Sequence, residues 1–285
     1  MTAMSRTIGR RKRRVSRPSA IVWICMVFLA LFVLTALLAP LVLPADAAAQ
    51  NLATGLTGPS SHHLLGTDDL GRDILAMVLL GARSALIGPL IVALGAGALG
   101  GALGVLAGFR GGWTDTVIMR WVDLMYALPG LLVLIVVAGV AGGGYGLAVI
   151  MLLLFNAPYV TRIVRGATLE QRSRAYVEAA RVLGVSRTRR MAVHILPNVL
   201  PELVAATFLQ YATALLALSS LSFLGLGAPP GSSDWGLMAA SNRTFLFDNP
   251  ASMLAPAGLI ILAAATMNIV GDWAFEQLER RGRTR

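Results

Sequence analysis

His62 and His63 stand shortly before the acids Asp68, Asp69 and Asp73, and imidazole with carboxylate is a ligand set that binds zinc. Adjacent histidines on an exposed segment do not easily reach one ion, however. Asp68 and Asp69 directly precede the apolar-spaced run Leu70, Ile74, Leu75, Val78 and Leu79. They are better explained as caps of an amphipathic helix lying along a membrane surface. Ser219, Ser220 and Ser222 are hydroxyl nucleophiles by type, but nucleophilic catalysis needs a base within reach, and no histidine accompanies them in sequence. The acids do not form a glycosidase pair. Nucleotide hydrolysis fails on a single count: the phosphate-cradling loop requires a lysine after its glycines, and the only lysine is Lys12, in a basic tail. Arg120 and Asp123, three apart, share a helix face and are expected to pair at a membrane rim. The chain is therefore expected to be no enzyme, with no metal and no cofactor of its own.

The elements that would carry these residues are membrane spans. The chain is 56% hydrophobic and 13% charged, against roughly a quarter charged in soluble domains. Uncharged runs cover 19–44, 84–109, 124–161, 203–233 and 249–271, each long enough for the ~20 residues a crossing requires. The third run is too long for one helix and breaks at Gly142-Gly143-Gly144, so six spans are expected. The first could be taken for a secretory signal before Ala47-Ala48-Ala49, but residues 21–43 exceed the 7–15 or so apolar residues of such signals; an uncleaved span is expected. Cys25, alone, forms no disulfide framework.

The net charge of +10 does not indicate nucleic acid, because the basic residues are segregated. With the N-terminus inside, 21 of the 24 arginines and lysines face the cytoplasm, the bias that sets membrane orientation. Only Arg72, Arg83 and Arg243 face out. Both termini are then cytoplasmic. The span middles lack ionisable residues, which argues against an ion-coupled carrier. Gly100, Gly104 and Gly108, with Gly97 and Gly101, form a small-residue face suited to close helix packing. Its plainest use lies within the chain; a subunit interface is the alternative. Asn156 and Pro158 could kink span four, and Trp235 has the type of an interfacial anchor.

One polar stretch lies between two spans. Residues 175–183 are helix formers closed by Gly184, a C-cap. Tyr176, Ala179 or Ala180, and Leu183 fall on one face, with Glu178 and Arg181 as charged contacts. A second short helix over 188–194 is expected to stop at Pro197. A charged inner loop that is helical presents a docking surface.

Glu178-Ala179-Ala180, Gly184 and Leu196-Pro197 resemble the "EAA" signature of the membrane subunits of binding-protein-dependent ATP-binding-cassette (ABC) importers. The block from His63 to Asp73, Gly111-Gly112-Trp113-x-Asp115, the run from Ser220 to Gly227, Trp235-Gly236 and Asn268-x-x-Gly271-Asp272 are similar to the dipeptide/oligopeptide permease C-type subunit. The resemblance covers residues 60 to 275. It implies an all-α, six-span permease of the type I (MetI-like) importer fold, in a bacterial cytoplasmic membrane. Its parts would be a basic tail (1–19), a first span with an extracytoplasmic segment (20–83), the permease core (84–275) with coupling helices near 175–194, and a second tail (276–285). The implied partners are a B-type permease subunit, two cytoplasmic ATPases holding ATP and Mg, an extracytoplasmic binding protein and lipid. Tyr176, Glu178, Ala179, Ala180, Arg181, Leu183 and Gly184 would couple to the ATPases. Asp68, Asp69, Asp73, Asp234 and Trp235 would shield the gate or meet the binding protein. The cargo would be di- or oligopeptides, or alternatively haem, a nickel chelate or glutathione; a stand-alone carrier is the remaining class. Where many relatives carry an acid before the Ser-Leu-Ser-Phe block, this chain reads Leu216-Ala217-Leu218-Ser219. His194 is read as structural.

Overall fold

The computed structural model describes residues 19–44 and 47–282. The basic tail, apart from Ser19, lies outside them, as do residues 283–285 of the closing tail. Ten helices make up the described chain: α1 (Ala20–Val42), α2 (Ile74–Arg110), α3 (Gly112–Ala127), α4 (Gly130–Ala141), α5 (Tyr145–Arg172), α6 (Ala175–Val182), α7 (Arg187–Arg189), α8 (Leu196–Phe223), α9 (Trp235–Ser241) and α10 (Ala251–Gly282). A turn of π-helix, Arg190–Ile195, joins α7 to α8.

Five helices are long and apolar enough to cross a membrane, and α3 with α4 makes a sixth if the pair, bent by 79°, counts as one. Side-chain contacts show that the pair runs the length of the bundle. The Tyr145 hydroxyl, at the start of α5, donates to the Ser84 carbonyl (2.6 Å) in the first half of α2. At the other end Arg172 reaches the Gly108 carbonyl (3.3 Å). α2 and α5 thus run parallel, so α3 and α4 must carry the chain from one end of the bundle back to the other. The end holding Arg172 and α6 is here called the basic end, the other the far end.

The glycine face packs within the chain. A Cβ at Gly100 would stand 2.5 Å from the Ala157 carbonyl, at Gly104 2.7 Å from that of Thr161, and at Gly108 2.7 Å from the Thr168 Cβ. α2 and α5 approach too closely for side chains between them. Gly97 and Gly101 serve α8 in the same way, against Thr207 and Leu203. One apolar core joins α1, α2, α8, α9 and α10 around Phe32, Met77, Tyr211 and Trp235; a second lies between α2, α5 and α8 around Val92, Leu152 and Leu218. The third sits at the basic end.

Several expectations are corrected. No separate surface helix precedes span two: α2 starts at Ile74, capped by Asp73 (to Ala76 N, 2.9 Å), and runs unbroken to Arg110. Ile74, Met77 and Val78 are buried, so this turn is core, and the boundary drawn at 83/84 falls inside a helix. Residues 276–282 continue α10. Trp235 is no interfacial anchor. Its ring is buried beside Phe32 and its Nε1 donates to the Val78 carbonyl (2.8 Å), in space left by Gly81.

Candidate functional site

α6 presents two unlike faces. Val177 and Ala180 are buried, and Val177 packs into the cluster of Val164, Ile195 and Val199. Glu178, Ala179 and Arg181 are exposed, and Val182 and Leu183 are 82% and 81% exposed. The face expected from periodicity is thus divided: Ala179 and Leu183 lie outside, Ala180 inside. Two large aliphatic side chains held out from a helix of eight residues are a contact surface in search of a partner.

The helix ends on Gly184 at φ +75. Its N–H bonds the Arg181 carbonyl (3.1 Å), and the Val185 N–H bonds that of Ala180 (3.0 Å), the pair of bonds of a Schellman cap. Nothing lies within 4 Å of a Cβ built there, so glycine is required by the backbone and not by crowding. Tyr176 braces the helix from behind: its hydroxyl lies 2.8 Å from Gln171 Oε1 and 3.1 Å from the His194 carbonyl, and accepts from Asn198 Nδ2 (3.2 Å). Partial burial pushes the phenol above its ordinary pKa, so it stays protonated. Glu178 and Arg181 pair loosely at 3.6 Å, both exposed, a geometry that contributes little.

The expected stop at Pro197 does not occur. In the π turn the Leu196 N–H reaches back five residues to the Met191 carbonyl. Pro197 then falls in the first turn of α8, where a missing N–H removes no bond. The His194 carbonyl takes the Asn198 side-chain amide (2.7 Å), and its ring lies 6.5 Å from that of Tyr176.

Beside α6, two arginines one turn apart on α5 grip α3. Arg165 binds Asp115 through two parallel bonds, Nε to Oδ1 at 2.5 Å and Nη2 to Oδ2 at 2.6 Å. Arg162 bonds Asp123 at 3.1 Å and lies 4.4 Å over the Tyr126 ring. Asp123 thus pairs across to α5, not with Arg120 as expected. A groove of about 370 Å³, lined by Tyr126, Leu131, Phe155, Asn156, Leu216 and Ser220, opens next to the bend between α3 and α4. Ala217 lines it too, so the acid-free stretch before Ser220 gives this groove an apolar wall. A cleft of about 490 Å³ between α5, α8 and α10 holds Glu202, Asn268 and Asp272.

The residues singled out at the far end separate. Asp68 is fully buried and accepts from Arg72 Nε (2.7 Å), while Arg72 Nη1 reaches the Gly231 carbonyl (3.2 Å). Asp73 caps α2 and bonds His63 Nδ1 (2.7 Å), pairing with neither Arg72 nor Arg83. Asp234 is buried, caps α9 and accepts from Ser84 (3.1 Å). Asp69 alone of the four is exposed. Sequence reasoning missed Asn249, whose amide bonds the carbonyls of Thr57, Leu65 and Thr67 (3.1–3.4 Å). It also missed Gln210, buried and bonded to the Asn156 carbonyl (2.9 Å). No local spacing announces either. The Arg162–Arg165 step was visible, but only as positive charge.

Residues 100–284 match the family described as binding-protein-dependent transport system inner membrane component. A dipeptide transport system permease protein of Alkalihalophilus pseudofirmus is 34% identical over 254 residues, 89% of this chain and 84% of that protein. A glutathione transport system permease protein of Pectobacterium atrosepticum is 36% identical over 222 residues, 78% and 74% of the two chains. In fold, the chain is similar to a chain of an inward-facing MetNI methionine ABC transporter, with TM-score 0.60 at 19% identity over 72% of this chain and 97% of that one.

Proposed function

Because the chain belongs to the family of binding-protein-dependent transport system inner membrane components, we propose that it is the permease subunit of an ABC importer that moves di- or oligopeptides across a bacterial inner membrane. The observation that carries the reading is α6: a short helix anchored by Val177 and Ala180, with Ala179, Val182 and Leu183 held outward between two spans. In this reading the basic end, with both termini, faces the cytoplasm. Two ATPase subunits, carrying ATP and Mg, dock on Glu178, Ala179, Arg181, Leu183 and the Gly184 turn, while Tyr176 and Ala180 hold the helix in place. A related B-type permease completes the pathway, and an extracytoplasmic binding protein delivers cargo at the far end, where Asp69 is the exposed one of the four acids.

The mechanism is differential contact. A ligand shifts a conformational equilibrium only as far as its affinities for the two states differ. ATP-driven closure of the ATPases changes what they hold at α6; α5 and α8, which flank it, then move with it. Peptide cargo is favoured by the dipeptide-permease relative, and the glutathione relative supports a second reading, glutathione itself a peptide-like cargo. The test is uptake by the complete assembly in proteoliposomes, with labelled dipeptide challenged by glutathione. ATP-dependent dipeptide uptake is expected. Uptake without nucleotide would reject the importer assignment, and glutathione uptake alone would decide for the second cargo.

A further inference from the structure

α3 has little apolar anchorage. Of its 16 residues only Val122 is buried, and Trp113 at its start is 83% exposed. Its register against α5 is therefore set by charge. The Arg165 guanidinium and the Asp115 carboxylate meet edge to edge through two short bonds, with 28% and 21% of their side chains exposed. Such a fork fixes orientation as well as distance, unlike a single contact between point charges. One turn away Arg162 adds its bond to Asp123 and its stacking on Tyr126. Both arginines stand on the part of α5 that runs directly into α6. Both acids stand on α3, which passes through the 79° bend into α4, and Tyr126, Leu128 and Leu131 around that bend wall the apolar groove.

We infer that Asp115 and Arg165 are positioning residues for transport: their fork, backed by Arg162 on Asp123 and Tyr126, carries displacement of α6 into the bent pair α3–α4 and so sets the width of the groove. The inference rests on the reading of α6 as the ATPase dock. Without the fork, α5 moves past α3 on the one buried contact of Val122, and the groove no longer follows the ATPases.

The experiment uses the full assembly in proteoliposomes and reads two quantities: cargo taken up per ATP hydrolysed, and ATPase retained on the purified permease. Asp115→Asn and Arg165→Gln are each expected to lower uptake per ATP by about tenfold, within the range seen for mutations along coupling networks, with ATPase retained. Arg165→Lys, which keeps the charge and loses the fork, falls between them and the parent chain. The exchanged pair Asp115→Arg with Arg165→Asp recovers most of the loss. A merely structural role would lower the yield of assembled complex and leave uptake per ATP unchanged. Unchanged ratios in both single variants, an exchanged pair no better than the singles, or loss of ATPase from the singles would each overturn the inference. Leu183→Asp checks the dock separately: ATPase retained on that variant rejects the docking reading whatever the pair variants do.

Discussion

At the residue scale, Asp68 and Asp69 are neighbours with opposite settings. Asp68 is fully buried, with its charge held by Arg72 and by the N–H groups of Leu70 and Arg72 (3.0 and 2.9 Å). Removing one member of a buried pair strands the other, at a cost of about 3–5 kcal/mol. Asp68→Asn should therefore lower the thermal midpoint of the purified permease sharply, and an unchanged midpoint would show that the Arg72 charge finds another partner. Asp69 is exposed, and surface changes of this kind stay within about 0.5 kcal/mol. Asp69→Lys should leave the midpoint alone and instead make delivery from the binding protein weaker and more salt-sensitive, because rim charges act mainly on encounter. Delivery that keeps its rate and its salt response would remove Asp69 from that interface. At the other end of the bundle, Gly184→Ala meets no neighbour and strains only the backbone. A loss of about 1 kcal/mol is expected, visible as faster amide exchange over α6 with exchange in α5 unaltered; exchange unchanged in α6 would mean the cap does not hold the helix.

Among elements, the α2–α5 contact is the most extensive in the bundle, and its glycines differ from others nearby in a way that substitution can read. At Gly104 a methyl group would lie 2.7 Å from the Thr161 carbonyl and 2.8 Å from the Val164 Cβ, and such overpacking costs about 1–3 kcal/mol. Gly166, on α5 itself, has nothing within 4 Å, and alanine there should gain about 0.5–1 kcal/mol from helix entropy. Opposite signs in the two thermal midpoints are expected; equal effects would mean that α2 and α5 separate at little cost. The glycine face itself was legible in the sequence, because a four-residue repeat of small side chains has few other uses in lipid. So were the spans, the break at Gly142 and the Gly184 cap. Periodicity could not say which side of α6 faces the core, because Ala179 and Ala180 are the same residue type, and only the position of Val177 beside Val164 and Ile195 decides. The rule that proline ends a helix failed at Pro197 because the π turn ahead of it had already shifted the bonding by one residue. Trp235 was misplaced for a related reason: its pocket is made by Gly81, far away in sequence.

On the scale of the whole molecule, the parallel pairing of α2 and α5 makes the bent pair α3–α4 a full crossing, and an even number of crossings returns the chain to the side where it began. In a chain whose Cys25 has been replaced, single cysteines at positions 10 and 283 should both resist a reagent that cannot cross the membrane when it is added from outside. Labelling of one alone would reduce the bent pair to a re-entrant loop. The closure of the far end bears on biosynthesis. The Asn249 amide fastens carbonyls 182, 184 and 192 residues earlier in the chain, and Arg72 reaches Gly231 across 159. Contacts so distant in sequence form late, because the intervening chain must exist before its loop can close. A ribosome translating this message therefore releases α1 and α2 with the segment 51–72 holding only its own local bonds, and that segment awaits nearly the entire polypeptide before it is fastened to the bundle. Nascent chains stalled before residue 249 should be cut within 51–66 by protease added from the far side, and chains stalled after α10 should resist; equal resistance in both would show that the first extramembrane segment folds on its own.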